Sequence, residues 1–168
     1  ENVLYIGTCS GAIIVSLLDL LPQSRGTAVD ISAAALVVAG ENAENIGVGE
    51  RLTLVESDLF SKLDCNKKFD IIVSNPPYFV DSLECSDRQR TAARHNNSLT
   101  YEELLEGVNR LLAADGLFTA VIPTDVVDRV KAIASMNKLY TIRQLNVITK
   151  PGGIPKRTLI AFSFSNRE

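Results

Sequence analysis

Short apolar segments alternate with longer amphipathic segments along most of the chain. Short runs of mostly apolar residues predict buried strands, and apolar residues three or four positions apart predict helices. Predicted strands lie at 3–7, 26–30, 51–55, 69–74 and 117–122, and predicted helices lie at 11–21, 32–45 and 100–114. A further helix from 125 to 137 is followed by two consecutive strands, 140–148 and 158–164.

Strands that alternate with helices indicate a parallel sheet, and two consecutive strands at the end indicate an antiparallel edge. We therefore predict an α/β fold with a mostly parallel seven-stranded sheet, an antiparallel edge and helices on both faces. Ser32 and Thr100 are expected to cap their helices, and Asp115-Gly116 is a predicted turn between helix 100–114 and strand 117–122. The polar segment 76–99 is predicted to be a functional or mobile loop.

The composition describes an ordinary globular protein. Its 168 residues are 46% apolar and 22% charged, and we see no internal repeat or linker, so 1–168 is predicted to be a single domain. We find no bilayer-spanning apolar run and no signal peptide, which predicts a cytoplasmic protein without a membrane partner. Three widely spaced cysteines and one histidine do not form a metal-ligand pattern, so we predict no metal site and free thiols.

Charge is distributed unevenly along the chain. The net charge is −3, and residues 1–100 carry 8 Lys and Arg against 13 Asp and Glu. From Arg129 to Arg167, by contrast, there are eight basic residues and no acidic one. This asymmetry is typical of a surface for a polyanion at one end of the molecule, although a solvated basic face would give the same pattern.

The strongest candidate chemistry is Asn75-Pro76-Pro77-Tyr78, which directly follows the predicted strand 69–74. The two prolines fix the backbone and remove two N–H donors, so that nearby carbonyl groups are free to face a ligand. The Asn75 side-chain oxygen and one such carbonyl can accept both hydrogens of a planar –NH2 group, while Tyr78 stacks on the attached ring. The motif therefore predicts a site for an exocyclic amine or a carboxamide.

Three further features follow successive predicted strands. The segment Gly7-Thr8-Cys9-Ser10-Gly11 joins the first strand to the first helix and resembles a glycine-rich nucleotide loop. Asp30 ends the second strand, at a spacing suited to ribose hydroxyls, and Asp58 follows the third strand, where it could reach an adenine amine. Because parallel strands end at the same edge, we expect the loop, both acids and Asn75 to lie together.

This ordered set resembles the Rossmann-like, class I S-adenosylmethionine-dependent methyltransferases that modify amino groups. Two of their families share Asn-Pro-Pro-Tyr: one methylates the glutamine of peptide release factors, and the other is the bacterial tRNA adenine-N6 methyltransferase family acting at adenosine 37 of valine tRNA. Glu84-Cys85, Arg90, Ala93-Arg94 and residues 99–105 are similar to the segment that follows the motif in the tRNA family. Residues 155–163 are similar to that family's last paired strands.

The resemblance implies S-adenosylmethionine as cofactor, tRNA as partner and roles for particular residues. The implied catalytic residues are Asn75, Pro76, Pro77 and Tyr78, which hold and align the target adenine. The implied cofactor-binding residues are Gly7, Thr8, Cys9, Gly11, Asp30, Ile31, Asp58, Leu59 and Asn75. Implied RNA contacts are Arg88, Arg90 and Arg94 in the loop after the motif, with Lys150, Lys156 and Arg157 near the last turn.

Two positions depart from the family pattern, because Tyr5 stands where an acidic residue is usual and Cys9 stands where a glycine is usual. The family also has a segment before the first strand and often residues after position 168, so we expect a core portion of a longer protein. Glutamine methylation of a release factor, DNA adenine methylation and a degenerate module that binds cofactor or RNA without catalysis remain alternatives. The oligomeric state stays open.

Overall fold

A single seven-stranded sheet runs through the computed structural model, which describes residues 1–76 and 100–165. In sheet order the strands are β3-β2-β1-β4-β5-β7-β6. Their bounds are β1 Asn2–Ile6, β2 Arg25–Asp30, β3 Leu52–Glu56, β4 Phe69–Ser74, β5 Leu112–Pro123, β6 Tyr140–Val147 and β7 Arg157–Ser163. Strands β1 to β5 pair in parallel, whereas β7 runs antiparallel to both of its neighbours, β5 and β6. The predicted fold class is confirmed.

Successive residues of a strand point to opposite faces of the sheet, and β1 places apolar side chains on both. Helices cover both of these apolar faces. They are α1 Ala12–Leu20, α2 Ala33–Ile46, α3 Tyr101–Leu111 and α4 Val127–Met136. The first two helices share a core cluster with Val3 and Tyr5 of β1, while α3 and α4 pack with Leu4 and Ile6. In the described ranges, no helix combines the length and the apolar character needed to cross a membrane.

Side chains at two helix starts explain where those helices begin. The Ser32 hydroxyl accepts a hydrogen bond from the Ala35 N–H at 3.2 Å, as expected for an N-cap. The Thr100 hydroxyl oxygen accepts from the Glu103 N–H at 3.2 Å, and the Glu103 carboxylate accepts from the Thr100 N–H at 3.0 Å. These reciprocal bonds form a capping box, so both predicted caps are confirmed.

The boundary between α3 and β5 differs from the prediction. The helix ends at Leu111 rather than near residue 114, and β5 already begins at Leu112, which pairs with Phe69. The pairing register then shifts, so that Leu117 is the next partner, opposite Ile71. The predicted Asp115-Gly116 turn is therefore an irregularity inside one strand, with the extra residues displaced from the ladder as in a β-bulge.

The order of the strands fixes where a ligand can enter. From β1 the chain builds outward through β2 and β3, and it then crosses back so that β4 lies on the other side of β1. The helices that follow β1 and β4 along the chain, α1 and α3, pack on opposite faces of the sheet, so the carboxyl ends of these two strands form a topological switch point. Ligands of open α/β sheets bind at such a switch point.

Candidate active site

A cavity of about 410 Å³ opens at the carboxyl ends of β1, β2, β3 and β4. This volume lies within the range of small-molecule sites. Most of the predicted cofactor and catalytic residues line it together: Gly7, Cys9, Asp30, Ile31, Asp58, Leu59, Asn75 and Pro76. The residues that sequence reasoning placed at successive strand ends are therefore neighbours in space.

Thr8 and Gly11, two further predicted cofactor residues, do not line this cavity. The Thr8 hydroxyl is buried and donates to the Val29 carbonyl oxygen at 2.9 Å, which ties the loop to β2. Gly11 has φ +75°, and a Cβ at this position would lie 2.7 Å from the Cβ of Ala39. Glycine is thus required where the start of α1 approaches α2.

The Asp30 carboxylate accepts hydrogen bonds from the two backbone segments that border the cavity. One carboxylate oxygen, Oδ2, accepts a hydrogen bond from the Cys9 N–H at 2.8 Å, and the other, Oδ1, accepts from the Ser32 N–H at 2.9 Å. A carboxylate offers about four lone-pair positions, so each oxygen retains capacity for one more donor. Asp30 can therefore hold the loop and still accept hydrogen bonds from hydroxyl groups of a ligand.

An apolar and acidic wall follows β2 and β3. Ile31 is 51% exposed and Leu59 is partly buried, and both line the cavity beside the Asp58 carboxylate. Leu59 has φ +51°, a strained value for a branched residue and one that often marks a functional turn. The Ser57 hydroxyl supports this turn by accepting from the Lys62 N–H at 3.1 Å. Apolar surface next to a hydrogen-bond acceptor suits a heterocyclic ring with an amino group.

Asn75 and Pro76 form the opposite wall, directly after β4. Ser74 is buried, and its hydroxyl donates to the Ile6 carbonyl oxygen at 3.3 Å, which fixes the end of β4 against β1. The Asn75 side chain is exposed beyond this anchor. Pro77 and Tyr78 lie outside the described residues, as do Arg88, Arg90 and Arg94.

Tyr5 belongs to the cavity wall, although the sequence identified it only as a departure from a family pattern. Its side chain is only 4% exposed. Burial, with smaller contributions from Cys9 and the Asp30 carboxylate, raises the pKa of Tyr5 to about 12. The signal that could have revealed it is its place near the end of β1, two residues before the glycine loop.

The predicted basic residues near the last turn are exposed at the same edge of the sheet as the cavity. Arg157 starts β7 opposite Pro123, where β5 ends, and opposite Val147, where β6 ends. Lys150 and Lys156 lie in the connection between β6 and β7. Neighbouring strands are about 4.8 Å apart, so β7 is roughly 10 Å from β4 and its Asn75.

Comparison with known proteins decides the family. The family described as methyltransferase small domain matches residues 1–141 of the chain. The chain belongs to this family. A relative from Bacteroides thetaiotaomicron, called tRNA1(Val) (adenine(37)-N6)-methyltransferase, is 54% identical to this methyltransferase over 99% of the chain and 70% of the relative. A protein of the same name from Bacteroides fragilis is 48% identical over 99% of the chain and 71% of its own length.

Solved structures agree on the architecture of this methyltransferase. The ribosomal protein L11 methylase of Lactobacillus delbrueckii superposes with a TM-score of 0.69 at 21% identity, covering 96% of the chain and 69% of that structure. The precorrin-6y C5,15-methyltransferase of Geobacter metallireducens gives a TM-score of 0.69 at 16% identity, covering 98% and 79%. At these identities the likeness concerns the fold, which is the class I Rossmann-like methyltransferase fold.

Proposed function

We propose that this methyltransferase transfers a methyl group from S-adenosylmethionine to N6 of adenosine 37 in valine tRNA. The observation that carries the proposal is that Asn75 and Pro76, the first half of Asn-Pro-Pro-Tyr, line the same cavity as Asp30 and Asp58. Hydrogen-bond acceptors for an amino group therefore lie next to a pocket suited to a nucleoside. The names of the relatives from Bacteroides support valine tRNA as the substrate.

The chemistry of the cavity wall fits S-adenosylmethionine. Asp30 has free lone pairs for the ribose hydroxyls, and Ile31 and Leu59 offer apolar surface to the two faces of adenine beside Asp58. When bound, the cofactor supplies an electrophilic methyl group on its sulfonium. This methyl group would be used on the β4 side of the cavity, where Asn75 begins the connection.

Asn75 and Pro76 prepare the amine of the target base. The Asn75 side-chain oxygen and the Pro76 carbonyl oxygen accept the two N6 hydrogens, which favours a pyramidal nitrogen with its lone pair directed at the methyl group. Tyr78, outside the described residues, is proposed to stack on the base after it leaves the anticodon loop. Alignment and electrostatics then provide the catalysis without a covalent intermediate.

The connection between β6 and β7 carries Lys150 and Lys156, β7 begins at Arg157, and we call these three residues the basic hairpin end. Its positive charge supports a nucleic-acid substrate. Lys150, Lys156 and Arg157 are exposed at the edge that carries the cavity, so an RNA phosphate backbone bound there would bring a neighbouring base toward Asn75. Arg88, Arg90 and Arg94 are proposed as further phosphate contacts on the strength of their place after the motif.

The test is methyl transfer to unmodified valine tRNA, followed by mass analysis of the nucleosides, with Asn75→Ala and a matched control. Asn75→Ala should lower kcat on the order of 100-fold, because it removes a preorganised group that acts on the developing charge, while the dissociation constant of the cofactor changes little. Asn66→Ala removes the same amide from an exposed turn remote from the cavity and should leave both values unchanged.

Three results would contradict the proposal. Methylation of a release-factor peptide but not of tRNA would establish the glutamine reaction instead. Cofactor binding without transfer to either substrate would indicate a binding module. Equal losses of kcat and of cofactor affinity in Asn75→Ala would assign Asn75 to cofactor binding rather than to the target amine.

A further inference from the structure

The Tyr5 hydroxyl belongs to a buried side chain that lines the cavity, and it has no hydrogen-bond partner among the described residues. The side chain is 4% exposed and lines the cavity with Cys9 and Asp30. In residues 1–76 and 100–165, no hydrogen bond reaches the hydroxyl, although no fully enclosed side-chain oxygen or nitrogen there lacks a partner. The hydroxyl oxygen is therefore open to the cavity, and because buried polar groups are normally bonded, its partner is expected to be a ligand.

Strand order indicates which part of the ligand lies above Tyr5. Along the edge of the sheet, Asp58 follows β3, Asp30 ends β2, Tyr5 lies near the end of β1, and Asn75 follows β4. This step rests on the proposed function, in which adenine and ribose occupy the β3 and β2 side and the methyl group is used on the β4 side. The amino-acid tail of the cofactor is then left with the space above β1, beside Tyr5.

The tail carries a carboxylate, and few of the described residues that line the cavity have a side chain that can donate a hydrogen bond to it. Asp30 and Asp58 are acidic and accept hydrogen bonds rather than donate them. The glycine-rich loop would ordinarily provide backbone N–H groups for an anion. Here four of its five N–H groups are already bonded: those of Gly7 and Thr8 to Val29, that of Cys9 to Asp30, and that of Gly11 to Thr8.

We propose that the Tyr5 hydroxyl donates a hydrogen bond to the carboxylate of the cofactor's amino-acid tail and thereby determines specificity for that tail. A phenol is a neutral donor, whereas a carboxylate side chain at this position would accept from the tail's ammonium group instead. The raised pKa of Tyr5, about 12, keeps the proton on the hydroxyl throughout the physiological range. This chain would thus hold the tail mainly through its negative end.

The experiment compares three ligands by calorimetry with the full chain and its Tyr5→Phe variant. The ligands are S-adenosylmethionine, decarboxylated S-adenosylmethionine and methylthioadenosine, which lacks the whole tail. Tyr5→Phe should weaken S-adenosylmethionine about tenfold, the loss of a hydrogen bond to a charged group, and should leave the other two within about twofold. Tyr140→Phe, at an exposed position on β6, is the matched control and should change none of the three.

Three other outcomes would overturn the inference, and each would have a different meaning. Unchanged affinity for S-adenosylmethionine in Tyr5→Phe would mean that the hydroxyl does not contact the tail. Equal weakening of all three ligands would mean that the ring shapes the nucleoside pocket instead. If methylthioadenosine failed to bind the wild-type chain, the nucleoside pocket and the proposed function would fall together with the inference.

Discussion

Replacing Gly11 with alanine tests whether the start of α1 is held against α2 by close contact. The new Cβ would lie 2.7 Å from the Cβ of Ala39 and 3.0 Å from its Cα, and Ala39 is completely buried. Neither atom can rotate away, because both belong to the rigid part of α2. One of the two helices must therefore shift, and the loop that lines the cavity shifts with α1.

Gly11→Ala reduces stability in two ways, through backbone conformation and through overpacking. An alanine variant of a second glycine, Gly47, distinguishes the two contributions. The left-handed conformation, φ +75°, costs alanine roughly 1–2 kcal/mol, and overpacking costs about 1–3 kcal/mol more. Gly47 ends α2 with φ +84°, but a Cβ there meets nothing within 4 Å. Gly47→Ala should therefore incur only the conformational cost, and the smaller entropy of its unfolded chain applies equally to both variants.

Urea unfolding followed by far-ultraviolet circular dichroism measures the difference directly. We expect the free energy of unfolding to fall by about 1–3 kcal/mol more in Gly11→Ala than in Gly47→Ala. Calorimetry should also show weaker cofactor binding in Gly11→Ala, with no change in Gly47→Ala. Equal losses of stability in the two variants would refute the reasoning, because the contact with Ala39 would then contribute nothing.

Two further predictions concern charge. Replacing Lys150 and Lys156 with glutamine should weaken tRNA binding and reduce the slope of log affinity against log salt by about 1–2 units, whereas glutamine at Arg25 and Lys138, on the opposite edge of the sheet, should not. Equal slopes for the two double variants would make the basic hairpin end an ordinary solvated surface. Because the folded pKa of Tyr5 exceeds its ordinary value of 10.0, the stability that it contributes is complete below pH 10 and is lost as pH rises toward 12. Relative to Tyr5→Phe, the wild type should lose about 2 kcal/mol of unfolding free energy between pH 10 and pH 12 in urea titrations, and parallel pH profiles would contradict the burial of this phenol.

The strands were predictable wherever an apolar run had clear boundaries. The predicted strand 69–74 coincides with β4, because a charged turn precedes it and Asn75-Pro76 ends it. The start of β5 was missed because Leu112 and Ala113 belong to residue types that favour helices. Pairing of Leu112 with Phe69 overrides that local preference, and sequence periodicity contains no information about such a distant partner.

The sequence predicted which strand ends carry the site. It did not predict which contacts the individual residues make. Strand order alone brings Asp30, Asp58 and Asn75 to one edge, so position along the chain was sufficient. Whether a loop residue faces the cavity depends on its dihedral angles and on neighbouring elements. Thr8 turns inward to Val29, whereas Tyr5, an apparent core residue, reaches the cavity, and neither orientation is encoded by spacing.

The position of β7 has a consequence for biosynthesis. It is the last described strand along the chain, yet it lies inside the sheet, paired with β5 on one side and β6 on the other. Until β7 has left the ribosome, β5 and β6 have no partner between them, and each presents an open edge of the kind that promotes aggregation. A nascent chain interrupted before Arg157 would also lack the ladder that brings the basic hairpin end to the cavity. We therefore expect prematurely terminated chains to be recognised by chaperones and proteases as unfinished, rather than to persist as partly active enzyme.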